Sequence, residues 1–360
     1  MPKTAPKKKA ASKLTGKAQT VLGPIDAADL GITLGHEHLL IDRSEYFVMP
    51  DEASKRHYID KPLTMDIYGK HGVIGTFNMD IFHLLDTNAA IREVLKYKHA
   101  GGASLVDTTS IGIARDPLAL ARISRATGLN VIMGCSYYVP ASYPPGTDEK
   151  SEDQFAEEII RDITVGVGDT GVKAGVIGEI GCYYPLEDTT KRVIRGSVAA
   201  SLATGCPITI HPGLSDRSPA EILNIIIKAG GDPKNVVIGH ISSIMNDYAV
   251  LKDLAQTGCF IQDDLFAMED TSIEYLDKTD LMQSDVQRIE RIQFLVDEGH
   301  LSQLLVGQDV CMPWQHSARG GKGFAHILEN IVPRLRKRGF TQKQLDAILI
   351  DNPRRAFAFR

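Results

Sequence analysis

The sequence predicts an α/β fold in which eight parallel strands, each followed by a helix, close into a (β/α)8 TIM barrel. Short apolar runs rich in β-branched residues alternate along the chain with longer stretches of helical periodicity. The short runs are continuously apolar, as strands buried on both faces are. Eight strand-then-helix units in a row are typical of a closed parallel barrel. An open doubly wound sheet is the alternative, but no GxGxxG motif follows the first run, so we expect no nucleotide cofactor.

The apolar runs define eight predicted strands, at residues 31–40, 103–109, 130–138, 174–181, 207–212, 236–242, 259–266 and 303–310. Between them the periodicity predicts helices, at residues 87–100, 116–127, 151–165, 218–229, 247–257, 284–298 and 324–337. Residues 40–86 interrupt this alternation and are rich in Asp, Tyr, His and Lys. We therefore expect a long excursion after the first strand, lying over the mouth of the barrel.

The composition limits the classes of protein to which this chain can belong. The 360 residues are 43% hydrophobic and carry a formal net charge of −5, which argues against nucleic acid as a partner. No apolar run approaches the ~18 residues of a membrane span. The five cysteines are scattered, as expected for free thiols in a reducing compartment, and a cytoplasmic location is expected. Residues 1–16 are lysine-rich and are predicted to be a disordered basic tail; residues 17–360 form the barrel.

Polar residues recur at the C-terminal ends of the predicted strands, where barrel enzymes build their active sites. The first strand ends in Gly35-His36-Glu37-His38, and alternation places His36 and His38 on one face with Glu37 pointing outward. Four imidazoles and two carboxylates suit two divalent ions, Zn²⁺ first, with Mn²⁺, Co²⁺ or Fe²⁺ also accepted. The predicted metal ligands are His36, His38, Glu179, His211, His240 and Asp309.

These ligands and the stretches around them resemble the phosphotriesterase family of the amidohydrolase superfamily, in particular its phosphotriesterase-related branch. The resemblance spans nearly the whole chain from Lys17. It rests on the stretches Gly16-Lys17-Ala18-Gln19-Thr20-Val21-Leu22-Gly23, Gly35-His36-Glu37-His38-Leu39, Ile177-Gly178-Glu179-Ile180-Gly181-Cys182, Ile210-His211-Pro212-Gly213 and Gly323-Phe324-Ala325-His326-Ile327-Leu328.

The resemblance implies a binuclear metal-dependent hydrolase and suggests a homodimer. It implies that His36, His38 and Asp309 hold the more buried ion and that His211 and His240 hold the more exposed one. Glu179 would bridge the two, where the founding phosphotriesterases have a carbamylated lysine; the related branch shares the glutamate. Because of this difference, the organophosphate hydrolysis of the founding phosphotriesterases cannot simply be assigned to this sequence.

Two cations that share a water lower its pKa towards ~7, and the resulting hydroxide would attack a carbonyl or phosphoryl centre. Asp309 is the candidate catalytic base. Asp264, at the end of the seventh strand, would relay protons or orient a ligand, or else serve as a helix cap or a loop ion pair. Candidate substrate contacts lie in loops after the strands: Arg115, Tyr138, Tyr183, Arg217 and Trp314. The arginines would grip an anionic group or pair with Asp116 or Asp216, and the aromatic residues would line the pocket or anchor loops.

Four functions compete for this site. The first is hydrolysis of a small anionic amide, an N-acyl amino acid or amino sulfonate. The second is a lactonase or carboxylesterase, and the third is a phosphotriesterase. A binding barrel that has lost catalysis is the fourth, and the intact set of six ligand positions argues against it.

Overall fold

Eight parallel strands form one sheet in the computed structural model, which describes residues 14–64, 67, 77–269 and 283–360. Each strand pairs with the next along the chain. The amide of Asp309, just after the last strand, donates to the carbonyl of His36 in the first (N···O 3.3 Å), so the sheet closes. The predicted TIM barrel is confirmed. Its strands are β1 Thr33–Glu37, β2 Ser104–Asp107, β3 Asn130–Cys135, β4 Val176–Gly181, β5 Ile208–His211, β6 Val236–Ile238, β7 Phe260–Asp263 and β8 Leu304–Val306.

Helices follow the strands and cover the outside of the barrel. They are α1 Thr87–His99, α2 Pro117–Thr127, α3 Glu152–Thr164, α4 Asp188–Thr204, α5 Ser218–Lys228, α6 Tyr248–Gln256 and α7 Asp285–Asp297. After β8, a π-helical turn at Ile327–Ile331 continues as α8, Val332–Lys337. Three short helical segments end the chain, at Gln342–Asp346, Ala347–Asp351 and Asn352–Ala356.

Helix α4 is the one barrel helix that the periodicity did not predict. Its buried face consists largely of small or polar residues, so it lacks an apolar stripe. These small residues allow close packing against α3: a Cβ added at Gly196 would lie 2.7 Å from both the Glu152 carbonyl oxygen and Phe155 Cβ. The helix is therefore specified by packing rather than by a periodic pattern.

The strands end earlier than the apolar runs predicted, and backbone conformation explains two cases. His240 and Asp309 have φ angles of 55° and 47°, in the left-handed region that an extended strand cannot contain. Both residues therefore lie in turns just beyond β6 and β8. Below them, a buried apolar cluster fills the inside of the barrel with one residue from each of six strands: Val106, Ile132, Val176, Val237, Phe260 and Leu305.

The excursion after β1 is present as predicted. Ile41–Asp42 pairs in antiparallel fashion with His83–Leu84, and short helical turns at Ser44–Tyr46, Ala53–Arg56 and Met79–Phe82 lie between them. This arrangement carries the first residues of the excursion to the mouth of the barrel, where Ile41, Arg43 and Tyr46 line a pocket.

The first and last described residues meet at the opposite end of the barrel. Thr15 forms a parallel bridge with Phe359, and an antiparallel hairpin, Lys17–Thr20 with Gly23–Asp26, follows. Most of the predicted basic tail, residues 1–13, lies outside the described residues, and the bridge at Thr15 precedes the predicted boundary at residue 17. All five cysteines are buried and free. None of the helices in the described part of the chain combines the length and apolarity needed to cross a membrane.

Candidate metal centre

A single carboxylate lies among four imidazoles at the C-terminal end of the barrel. Glu179, the fourth residue of β4, has its oxygens 3.4 Å from His36 Nε2 and 3.2 Å from His38 Nε2. The same carboxylate lies 3.2 Å from His211 Nδ1 and 3.4 Å from His240 Nε2. Residues from β1, β4, β5 and the turn after β6 therefore converge on one point, as the sequence predicted from their positions at strand ends.

Asp309 completes this cluster from the turn after β8. Its Oδ1 lies 3.2 Å from His38 Nε2 and 3.6 Å from His36 Nε2. The carbonyl of Asp309 accepts a hydrogen bond from the side-chain amide of Gln315 at 3.0 Å, which holds the left-handed turn in place. The Asp309 side chain is 14% exposed, whereas His36 is fully buried, so the aspartate faces open space and His36 does not.

The spacing of these atoms fits metal coordination better than hydrogen bonding. Two ligands of a tetrahedral zinc ion, each 2.0–2.1 Å from it, are roughly 3.3 Å apart. Neither nitrogen of buried His36 has a hydrogen-bond partner. Within the described ranges, two ligand groups have donor atoms all within 4.8 Å of one another: His36 with Glu179 and His240, and His36 with His38 and Asp309. The residues therefore fit divalent cations.

Neighbouring polar groups determine which nitrogen carries the proton in two of the imidazoles. Thr109 donates its hydroxyl proton to the Leu40 carbonyl (3.1 Å) and so accepts from His38 Nδ1 at 2.9 Å. Asp264 Oδ1 accepts from both the backbone amide and Nδ1 of His240, each at 2.9 Å. In the neutral form of both histidines Nε2 therefore has the lone pair and faces the cluster, which is the form that binds a metal.

Asp264 also lies against the most buried histidine. Its Oδ2 is 3.3 Å from His36 Nδ1 and accepts a hydrogen bond from the Gln262 side-chain amide at 2.9 Å. Burial alone would raise the pKa of Asp264, but the charges of His240 and His36 lower it below its usual value. The aspartate is thus an ionised acceptor placed behind two of the imidazoles.

The electrostatics of the cluster favour cations. Burial would raise the pKa of Glu179, yet the charge of His36 and hydrogen bonds from the other histidines lower it well below its usual range. The pKa of Asp309 is lowered in the same way, chiefly by His38. Burial would lower the pKa of His38, but Asp309 and Glu179 raise it to about 10. The pKa of His240 is also raised, by Asp264 and Glu179, so without metal the carboxylates favour the protonated forms of His38 and His240, and bound cations would replace those protons.

A pocket of about 360 Å³ opens from the cluster. Five of the six predicted ligands line it, and the sixth, His36, lies behind them. Of the predicted substrate contacts, Tyr138 and Tyr183 line the pocket. The Tyr138 hydroxyl accepts a hydrogen bond from the Tyr46 hydroxyl (3.1 Å) and lies 3.5 Å from His211 Nδ1.

The structure does not bring the other three predicted substrate contacts to the pocket. Arg115 forms a buried ion pair with Asp162 (2.9 Å) and donates to the Gly134 carbonyl, so it ties α3 to the barrel. Arg217 is exposed at the N-cap position of α5, where its side chain makes no capping hydrogen bond. Trp314 is buried in the core after β8.

Sequence reasoning missed one cation that does line the pocket, Arg43. Its Nη1 lies 2.9 Å from Cys311 Sγ, and its guanidinium is 4.9 Å from the centre of the Tyr46 ring. Among the described residues, Arg43 is the only arginine or lysine in the pocket lining. Its position in the sequence, five residues after His38, was the available signal, because a residue so close to a ligand cannot be far from the site.

Comparisons with known proteins agree with this geometry. A model of the phosphotriesterase family matches residues 16–357. An N-acetyltaurine hydrolase of Tetraodon nigroviridis is 36% identical over 350 residues, covering 97% of this chain and 100% of that protein. A phosphotriesterase-related protein of Nematostella vectensis is 37% identical over 350 residues, covering 96% of this chain and 99% of that protein.

A solved structure shows the same fold over almost the whole length. The crystal structure of a resiniferatoxin-binding protein from Rhodobacter sphaeroides superposes with a TM-score of 0.91 at 31% sequence identity, covering 97% of this chain and 98% of that one. The chain is therefore a hydrolase that belongs to the phosphotriesterase family.

Proposed function

We propose that the protein is a binuclear metal-dependent amidase that hydrolyses small anionic amides, N-acyl amino acids or N-acyl amino sulfonates. The observation that carries this proposal is the guanidinium of Arg43 in a pocket that also contains the carboxylate–imidazole cluster. Relatives named N-acetyltaurine hydrolase support it, because N-acetyltaurine is the amide of an amino sulfonate.

The cluster offers ligands for two ions, with Zn²⁺ expected first and Mn²⁺, Co²⁺ or Fe²⁺ as alternatives. His36, His38 and Asp309 would hold one ion, His211 and His240 the other, and Glu179 would contact both. Bound ions would supply Lewis-acid activation of the amide carbonyl and of the attacking water. His211 would bind through Nδ1, the nitrogen that faces Glu179.

The protein's own groups would handle the protons. Asp309 reaches both the cluster and the pocket, so it can take a proton from the attacking water and deliver it to the amine nitrogen. In that exchange the carbonyl carbon gains a C–O bond and loses its C–N bond, giving a carboxylate and an amine. Tyr138 accepts from Tyr46, which leaves its own hydroxyl proton for the carbonyl oxygen of the substrate.

Arg43 would bind the anionic end of the substrate. A guanidinium presents paired N–H donors that match two oxygens of a carboxylate or sulfonate. Arg43 is 7% exposed, so this contact would form away from bulk water, where a charged hydrogen bond is stronger. A neutral lactone or a phosphotriester would use the same cluster but would bring no anion to this guanidinium.

Metal content is the first test of the proposal. Protein purified without chelator or added metal should contain about two equivalents of a transition metal per chain. A reproducible value near zero that dialysis against Zn²⁺ or Mn²⁺ does not restore would contradict the binuclear site.

Substrate charge is the second test. Wild-type protein should hydrolyse N-acetyltaurine with a far lower KM than N-acetylethanolamine, which has a neutral hydroxyl in place of the sulfonate. Arg43→Gln should raise KM for N-acetyltaurine by about 10- to 100-fold and leave the neutral amide unaffected, since a hydrogen bond to a charged group contributes ~1.5–3 kcal/mol. Arg217→Gln is the matched control, because Arg217 is exposed and outside the pocket lining, and it should change neither KM. Equal effects of Arg43→Gln on both substrates would remove the anion-binding role.

A further inference from the structure

We propose that the preferred substrates carry an acyl chain longer than acetyl, held against an apolar wall formed by Leu214, Leu265 and Met268. We call these three residues the acyl wall; all three line the pocket. The inference rests on the proposed function and names the acyl part of its substrate.

The order of strands in the barrel places Leu214 across from Arg43 and the other two residues of the acyl wall a quarter of the ring away. Arg43 follows β1, whereas Leu214 follows β5, and in an eight-stranded barrel the first and fifth strands are diametrically opposite. Leu265 and Met268 follow β7, which lies midway between β5 and β1 in the closed ring. An amide with its anion on Arg43 and its carbonyl at the central cluster would therefore direct its acyl chain towards the loop after β5, with Leu265 and Met268 along one side of it.

Among the described residues, this side of the pocket has few polar groups. Apart from the cluster histidines, the described lining residues that follow β5, β6 and β7 include one polar side chain, Ser243. The Ser243 hydroxyl already donates to the carbonyl of His240 at 2.8 Å. Leu265 and Met268 are each 4% exposed, so the surface they offer is confined to the cavity. An apolar chain is the ligand chemistry that such a wall stabilises.

The part of the acyl wall that follows β7 is held in place. Arg288 of α7 donates to the Met268 carbonyl at 2.9 Å, and Asp285 accepts from the Ala267 amide at 2.9 Å. Both residues of α7 are buried, so these bonds resist movement of Met268 onto a small ligand. The pocket of about 360 Å³ falls within the ~300–1,000 Å³ range of sites that take drug-sized ligands. An acetyl group has one methyl and would leave most of the wall uncovered.

The test is a chain-length series of N-acyltaurines: acetyl, butanoyl and hexanoyl. Wild-type kcat/KM should rise about fourfold for each added methylene, since burying a methylene contributes ~0.8 kcal/mol. Met268→Gln keeps the side-chain length and adds a polar amide, and Leu265→Phe narrows the pocket. Each variant should bring the hexanoyl-to-acetyl ratio of kcat/KM close to one. This ratio does not depend on the fraction of folded protein, so partial misfolding cannot imitate the effect.

Leu118→Ala is the control, because Leu118 is 60% exposed on α2, and it should leave the ratio unchanged. If wild-type protein hydrolyses N-acetyltaurine and kcat/KM falls with chain length, the acyl wall has no such role and the proposed function stands. If no member of the series is hydrolysed by metal-loaded protein, both proposals fail.

Discussion

Glu37 lies between two predicted metal ligands, His36 and His38, and positions a third, Asp309. Alternation along β1 predicted that it points outward, away from the cluster, and it is fully buried. Its two carboxylate oxygens accept from the backbone amides of Gln308 (2.8 Å) and Val310 (3.1 Å), the residues on either side of Asp309. Glu37 therefore positions the left-handed turn that presents Asp309 to the cluster.

Replacing Glu37 tests this role. Glu37→Gln retains one acceptor oxygen and loses one of the two amide bonds, so Asp309 should be held less well. We expect kcat to fall about 10- to 100-fold, the range found when outer partners of metal ligands are changed, with little change in KM. Steady-state kinetics on metal-loaded protein provides the measurement.

Glu93→Gln is a matched control for Glu37. Glu93 is also a buried carboxylate that accepts two backbone amides of the loop after β8, those of Ser317 (2.9 Å) and Ala318 (3.1 Å). It should lower the melting temperature and leave kcat intact. A Glu37→Gln variant that loses stability but keeps its kcat would show that Glu37 is only structural.

Asp309 itself should be indispensable. Asp309→Asn preserves the shape of the side chain but removes a base, so turnover should fall by about 10²- to 10⁴-fold. Circular dichroism should show an unchanged fold, and metal analysis should accompany the kinetics because an amide is a poorer ligand than a carboxylate. Full activity in this variant would remove Asp309 from the reaction.

Helix α7 stabilises the C-terminal end of β7 through a buried set of charges. Arg288 is fully buried, forms an ion pair with Asp285 at 3.0 Å and lies 3.8 Å from Asp263. Arg288→Met would leave two buried carboxylates without this partner, so we expect a loss of about 3–5 kcal/mol in the free energy of unfolding. Thermal melting on metal-loaded protein measures the loss.

An exposed ion pair between this helix and the end of α8 serves as the comparison. Arg338 lies 3.4 Å from Glu290 of α7, and both side chains are at least 40% exposed. Arg338→Met should cost less than about 1 kcal/mol, because solvent screens an exposed ion pair. Equal effects of the two substitutions would mean that the buried charges contribute no more than the exposed ones.

At the level of elements, sequence reasoning succeeded where the signal was local. Continuous apolar runs located all eight strands, and the polar residues at their ends converge on Glu179. Sequence reasoning failed to predict α4, because the buried face of this helix has little apolar character and the helix is specified by packing. The arginine expected in the pocket was also misplaced: Arg115 follows a strand but turns back to Asp162, whereas Arg43 reaches the pocket through the excursion. Which way a loop side chain turns depends on partners far away in sequence.

In the whole molecule, the cluster and the contact between the two ends of the described chain lie at opposite ends of the barrel. The cluster and its pocket occupy one end of the barrel, as in barrel enzymes generally. At the other end, Ala18, Leu30 and Phe357 join the apolar cluster that fills the barrel interior. The Gly16 amide donates to the Phe359 carbonyl (2.8 Å), and the Phe359 amide donates to the Lys17 carbonyl (2.9 Å). The two ends of the described chain thus close the barrel together.

This closure predicts opposite outcomes for two truncations. Removing residues 357–360 deletes two fully buried phenylalanines, and the loss of each large aromatic side chain costs about 3–5 kcal/mol. Because a domain is stable by only ~5–15 kcal/mol, the shortened chain should be insoluble or melt far below the full-length protein. Removing residues 1–13, which precede the Thr15–Phe359 bridge, should leave both the melting temperature and kcat/KM unchanged. If the second truncation reduced kcat/KM without lowering the melting temperature, the lysine-rich segment would have to act at the pocket, at the opposite end of the barrel from the bridge that it precedes.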